Sequence, residues 1–329
     1  MSDVRIRVAD GLGRITLDRP RAINALTHAM ITDMAAALAA WAEDDDVRAV
    51  LIDGAGERGL CAGGDIRAIH DDARAGGRTA PAFWADEYRL NARIATYPKP
   101  YIALMDGIVM GGGVGVSAHG SVRVVTERTR LAMPEVGIGL APDVGGTYLL
   151  ARAPGELGTH AALTGAPVSG ADAIHCGLAD HFVRADRLPL LIEDLLVLPI
   201  EDALARHTET PPPSRLAADA PWIDKCFAAD TVEEILERLT EAGQDTVVAE
   251  IGTRSPTALK VTLAALRRAR LLPLAAVLAQ DLRVSVACLR GHDLVEGIRA
   301  QVIDKDRTPH WRPATLAEVT EDMVAAHFA

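Results

Sequence analysis

The sequence predicts a mixed α/β chain that closes with a helical C-terminal region. Three observations carry this. Short apolar runs alternate with amphipathic helical stretches through the first part of the chain. Three glycine-rich segments lie where the chain passes from strand to helix. Beyond Pro211-Pro212-Pro213 the pattern turns mainly to amphipathic helix.

Val4 to Val8 and Arg14 to Leu17 alternate apolar and polar residues on either side of Gly11-Leu12-Gly13, the pattern of a β-hairpin. Thr27 is placed to cap a helix that carries Met30, Met34, Leu38 and Trp41 on one face. Arg48 to Ile52 is a short apolar run closed by Asp53-Gly54, hence a buried strand. The loop Gly54 to Gly64 leads into a short helix from about Asp65. A longer helix is expected over Pro81 to Thr96, ended by Pro98 and Pro100. Tyr101 to Met105 and Val122 to Thr126 read as further strands, and from about Gly145 helix is expected to follow helix. Three consecutive prolines neither continue a helix nor pair inside a sheet. A boundary is therefore expected there, with residues 1–210 as a core holding the active site. Residues 211–329 would be a helical region packed on that core or on a neighbouring subunit. Ser255-Pro256 supplies a cap and a first turn for a helix over Thr257 to Arg270.

Of the 329 residues 49% are hydrophobic and 24% charged, which places the chain among globular proteins. The length favours one large unit plus a smaller one. A net charge of −11 argues against nucleic acid and anionic membranes as partners, so an anionic ligand must be drawn by local positive groups. No apolar run is long enough to span a bilayer. Cys61, Cys176, Cys226 and Cys288 show no CxxC pair and no metal spacing, and no targeting leader is evident. Free thiols and a cytoplasmic protein are expected.

The glycine-rich segments are Cys61-Ala62-Gly63-Gly64-Asp65-Ile66, Met105 to Gly115, and Met133 to Gly146. Glycine lets a ligand approach the backbone and exposes N–H groups where a helix starts. Two such groups aimed at one point form an oxyanion hole, and Gly64 with Gly112 is the natural pair. Taken singly, each segment also fits an ordinary packing turn. Neither a G-x-G-x-x-G fingerprint nor a phosphate loop is present. Glu135 and Asp143 stand in the third segment. They are either carboxyls held in a pocket for proton transfer, or a solvated loop charge and a cap for a helix starting at Gly145.

Together these segments resemble the crotonase superfamily. The match runs from about Val4 to Phe328. The resemblance implies a spiral of ββα turns and trimer-based assembly. It implies an oxyanion hole from the N–H groups of Gly64 and Gly112, and an acid/base carboxylate at Glu135 in Pro134-Glu135. Enoyl-CoA hydratases carry a second glutamate in a GGGxE pattern; here Gly115 stands in its place. The second acid is instead Asp143, as in dienoyl-CoA isomerases and in the 3-hydroxyisobutyryl-CoA hydrolase branch. The words MDGIVMGGGVGVSAHG, MPEVGIGLAPDVGGTYLL, SPTALKVTLAAL and EGIRAQVIDKDRTPHW are similar to the hydrolase branch. In that branch Glu87, within Asp86-Glu87-Tyr88-Arg89-Leu90-Asn91, would contact substrate; taken alone it reads as a helix-surface charge. Ala62, Asp65 and Ile66 are expected as further substrate contacts. Arg67, one turn into the helix after the Ala62-Gly63-Gly64-Asp65 segment, is either placed to meet a coenzyme A phosphate or an exposed surface arginine. The resemblance implies hydrolysis of an acyl-CoA thioester in valine degradation, with Glu135 as base or nucleophile and with no metal or redox cofactor. Isomerase, hydratase and non-catalytic acyl-CoA binder remain as alternatives.

Overall fold

The computed structural model describes residues 3–329. Strands β1 (Val4–Ala9) and β2 (Leu12–Leu17) lead to helix α1 (His28–Ala42) and β3 (Ala49–Gly54). Helices α2 (Ile66–Arg74) and α3 (Ala80–Ala95) follow. Then come β4 (Tyr101–Met105), β5 (Ile108–Met110), the single turn α4 (Gly112–Gly115), β6 (Val122–Val125) and β7 (Arg130–Ala132). A 3₁₀ turn at Glu135–Ile138 precedes α5 (Gly146–Leu150) and α6 (Leu157–Thr164). Next are β8 (Val168–Ser169), α7 (Gly170–His175), β9 (His181–Phe182), α8 (Leu188–Val197) and α9 (Ile200–His207). The remainder is helical: α10 (Arg215–Phe227), α11 (Val232–Glu241), α12 (Asp245–Ile251), α13 (Pro256–Ala269), α14 (Leu274–Arg290), α15 (Asp293–Ile298) and α16 (Glu321–Ala325).

The hairpin and the longer strands and helices lie where the patterns place them. Thr27 caps α1, its hydroxyl accepting from Met30 N, and Ser255 caps α13, accepting from Ala258 N. One expectation is corrected: helix does not simply follow helix after Gly145, because β8 and β9 intervene. Each has two residues, too few to show a strand's alternation.

The chain divides into two compact units. The first comprises residues up to Gly64, Arg89–Leu131 and Val168–Arg215, so Pro211-Pro213 lie just before its end. The second comprises Asp65–Tyr88, Ala132–Pro167 and Leu216–Ala329.

The first unit holds a six-stranded sheet in the order β1-β2-β3-β4-β6-β9 and a three-stranded sheet β5-β7-β8. Only β1 runs antiparallel to its neighbour in the larger sheet. A parallel strand covered on both faces should read as an unbroken apolar run, and all five residues of β4 are buried. Leu51, Ile102, Leu104 and Val124 pack one face of the sheet against Leu188, Leu191 and Leu195 of α8 and Leu204 of α9. A Cβ at Gly13 would stand 2.7 Å from the ring of Trp41, so this glycine lets α1 lie close on β2. The pairs β4–β5 and β6–β7 each give one strand to each sheet before running into a helical turn. This is the ββα repeat that the resemblance implies.

The second unit is organised on α13, whose Leu259, Val261, Leu263 and Leu266 are buried. Glu156 at the start of α6 takes Arg267 at 2.8 Å and Arg270 at 2.7 Å, fixing α6 on α13. Helix α15 sits on the Glu135–Ile138 turn through two glycines. A Cβ at Gly139 would come within 2.4 Å of the Asp293 backbone, and one at Gly297 within 2.5 Å of Ile138. Beyond α15, Arg299 gathers Glu296, Asp304 and Asp306, while Glu296 also accepts from His310 N. Arg299 holds the Glu296 carboxyl down at about 2.

Candidate active site

In the first unit, Cys61 pairs with β5: Cys61 N donates to Ile108 O at 3.1 Å and Met110 N donates to Cys61 O at 2.9 Å. This pairing lays the first two glycine-rich segments side by side. A Cβ at Gly113 would stand 2.5 Å from Cys61 O, so only glycine permits the approach. A Cβ at Gly63, whose φ is +108°, would lie 3.6 Å from Gly112 N. Gly112 opens α4 behind Gly111, and a first helical N–H has no carbonyl to bond within its own helix. Gly63, the residue before Gly64, thus stands against Gly112. Gly115 lies buried in α4. Of the expected substrate contacts here, Ala62 donates its N–H to Ile23 O at 2.9 Å.

The second unit gathers the acids. Glu135 opens the 3₁₀ turn after Pro134, with Gly139 ending the turn in the left-handed region. Asp143 follows on the loop into α5. Glu87 projects from the part of α3 that belongs to this unit, and Asp281 from α14. None of the four is more than 6% exposed. Asp143 is not a helix cap: α5 begins behind Gly145 with no side-chain cap. Its Oδ2 instead accepts the phenol proton of Tyr88 at 2.6 Å. Nor is Glu87 a surface charge, being 2% exposed. Glu87 Oε1 and Glu135 Oε2 are buried without a hydrogen-bond partner. A buried carboxyl oxygen left unpaired is costly and calls for an explanation, a catalytic role among them.

Burial first, and then the charge of Asp143, pushes the Glu87 and Glu135 carboxyls well above the usual range. Burial raises Asp281 as well, and Asp143 to about 6, where the Tyr88 hydrogen bond works against the rise. Among the described residues no lysine or arginine is a leading influence on any of the four. The cluster therefore releases its protons in coupled steps that belong to the set and not to one carboxyl. That arrangement suits proton transfer near neutral pH.

Asp65 and Ile66 open α2 in this unit, the Asp65 carboxylate accepting from Ala68 N at 3.4 Å as the cap. Arg67 is exposed, and its guanidinium donates to Val302 O at 2.7 Å. Sequence reasoning missed Tyr88, Asp281 and Ser285. One signal was available: Asp281 and Ser285 stand one turn apart on the apolar face of α14, among Val277, Leu278, Val284 and Cys288.

Fold and acidic cluster define a class. The chain belongs to the enoyl-CoA hydratase/isomerase family, whose model matches residues 12–328; this is the crotonase superfamily that the motifs resemble. Among relatives, the chain is 45% identical to the human mitochondrial 3-hydroxyisobutyryl-CoA hydrolase, over 96% of this chain and 86% of that one. It is 44% identical to the Danio rerio protein of the same name, over 100% and 90%. Among solved structures, one described as a carnitinyl-CoA dehydratase from Mycobacterium thermoresistibile is 58% identical. Its TM-score is 0.98, over 100% of this chain and 97% of that one. One described as an enoyl-CoA hydratase from Rhodobacter sphaeroides is 44% identical, with a TM-score of 0.93 over 100% and 97%. Among the described residues no helix is long and apolar enough to cross a membrane.

Proposed function

We propose that this protein hydrolyses 3-hydroxyacyl-CoA thioesters, with 3-hydroxyisobutyryl-CoA as the preferred substrate. The observation that carries this is the buried trio Glu87, Glu135 and Asp143, with open oxygens on both glutamates, in a chain whose position 115 is glycine. The N–H groups of Gly64 and Gly112 polarise the thioester carbonyl. Glu135 either activates water or attacks the carbonyl carbon to give a mixed anhydride that water then opens. The carbon–sulfur bond breaks and coenzyme A leaves; its thiolate takes the proton that the carboxyl collected from water in the first route, and in the second a proton released when water opens the anhydride. Asp143 orients the water or, with Glu87, the substrate hydroxyl. Ala62, Asp65 and Ile66 line the substrate's path, and Arg67 meets the coenzyme A moiety once freed from Val302. Coenzyme A is part of the substrate, and no separate cofactor enters the scheme. The names of the hydrolase relatives support this reading, and a role in valine degradation follows from the preferred acyl group. The absence of disulfides among four buried cysteines suits a reducing, cytoplasmic setting. Trimer-based assembly is proposed from the family pattern.

The solved relative described as a dehydratase favours a second reading, elimination of water from a 3-hydroxyacyl-CoA by the same carboxyls. One experiment separates them. Thiol release and enoyl product are measured in parallel on a panel of short acyl-CoAs, with and without a 3-hydroxyl. Thiol release that requires the hydroxyl, without enoyl product, supports hydrolysis; enoyl-CoA with the thioester intact overturns it.

A further inference from the structure

Helix α14 reaches Asp143 by two routes, both inside the second unit. The first runs through the backbone: Asp281 accepts from Gly145 N at 2.8 Å and from the Thr147 hydroxyl at 3.3 Å. This fixes the loop immediately after Asp143. The second runs through side chains. One turn along α14, Ser285 Oγ lies 2.9 Å from the Tyr88 hydroxyl, which lies 2.6 Å from Asp143 Oδ2. A phenol has one proton. With that proton given to Asp143, the serine must be the donor to the phenol oxygen. Ser285, Tyr88 and Asp143 then form a chain of donors running in one direction and ending on a carboxylate, all three side chains being buried.

The surroundings explain why such a chain is needed. The ionisable groups that face Asp143 are Glu87 and Tyr88 from α3, Glu135 from the 3₁₀ turn, and Asp281 and Cys288 from α14. All are acids. A carboxylate among them has no cation to balance it, so neutral donors must do so. Burial and the neighbouring carboxyls push the Tyr88 phenol well above its ordinary value, so it keeps its proton and stays a donor.

We propose that Tyr88, backed by Ser285, is a positioning residue that holds Asp143 as the ionised member of the cluster and in a single orientation. This rests on the reading of Asp143 as part of the hydrolytic machinery. Ser285 lies outside the motifs on which the family resemblance was drawn.

The test uses the full-length protein and the thiol-release assay. kcat and KM are followed against pH for wild type, Tyr88→Phe, Ser285→Ala and Asp143→Asn. A donor to a charged acceptor, once lost, moves the acceptor by roughly one pH unit. Tyr88→Phe should therefore displace the acid limb of the kcat profile, which the coupled carboxyls set together, by about one unit, with KM within about twofold of wild type. Ser285→Ala should shift it the same way by less. A residue that merely packs would lower activity without moving the limb. If both variants keep the wild-type limb, the proposal is overturned. Should Tyr88→Phe fail to fold by circular dichroism, Ser285→Ala alone decides. Full activity in Asp143→Asn would instead remove the reading of Asp143, and this proposal with it. An inactive Asp143→Asn beside unshifted Tyr88→Phe and Ser285→Ala removes only the proposal.

Discussion

Four buried acids without a cation oppose folding at neutral pH. Glu135 shows the sign. Its folded-state value is raised by burial, so between the unfolded value near 4.3 and the higher folded one the unfolded chain is the more ionised. Stability from this group is fully present below the unfolded value and is lost as pH rises. Glu135→Gln removes that opposition. It should raise Tm at pH 8 by on the order of 2 °C, with the gain fading as the buffer approaches pH 4. Turnover should fall by about 10²–10⁴-fold, with acyl-CoA binding nearly intact. Thermal melts at two pH values, thiol release and a binding titration read all three. Unchanged Tm at pH 8 would mean that the carboxyl is better solvated than its burial indicates. At this scale the sequence was partly legible. Glu135 and Asp143 stand out because proline and glycine flank them. Tyr88 and Ser285 do not, because their role is created by the meeting of α3 and α14, which no local pattern encodes.

Elements place these groups by close backbone approach. Helix α15 can lie on the Glu135–Ile138 turn only because Gly139 and Gly297 carry no Cβ. Gly297→Ala inserts a methyl 2.5 Å from Ile138. Overpacking of this kind costs about 1–3 kcal/mol, and relief requires the turn to move, carrying Glu135 with it. Tm should drop by a few degrees, and kcat should fall more than the loss of folded protein explains. Wild-type kcat in the folded fraction would show that α15 does not set the position of Glu135. Long elements with clear periodicity were legible: α1 with Thr27, α13 with Ser255-Pro256, and β4 as an unbroken apolar run. Strands β5, β7, β8 and β9 were not, because two or three residues cannot display a period of two.

For the whole molecule, the notable feature is how the chain is shared out. Each compact unit takes three separate stretches, and the last, Leu216–Ala329, supplies most of the second. A truncation after Arg215 would strip Asp65–Tyr88 and Ala132–Pro167 of α13 and α14. Glu156 would lose Arg267 and Arg270, Gly145 would lose Asp281, and Tyr88 would lose Ser285. The truncated protein is expected to aggregate, or to stay soluble only with kcat/KM reduced by more than 100-fold. Sedimentation and thiol release check this. A soluble fragment with wild-type kcat/KM would mean that the C-terminal helices are dispensable. Linear composition marks the proline break, but it carries no signal for two units that share one chain in alternating pieces.

Val144 lies wholly buried between Asp143 and Gly145, and both it and Gly145 are left-handed, at φ +52° and +74°. A β-branched residue held there costs about 1–2 kcal/mol, so the corner is a set catch and not a resting bend. Asp281 grips it on one side and Tyr88 on the other. The bond from Gly145 N to Asp281 and the burial of the valine side chain keep it from returning to an ordinary conformation. The place of Asp143 is thus held against a local cost, and it depends on the packing of the whole unit around the valine as much as on its own hydrogen bond.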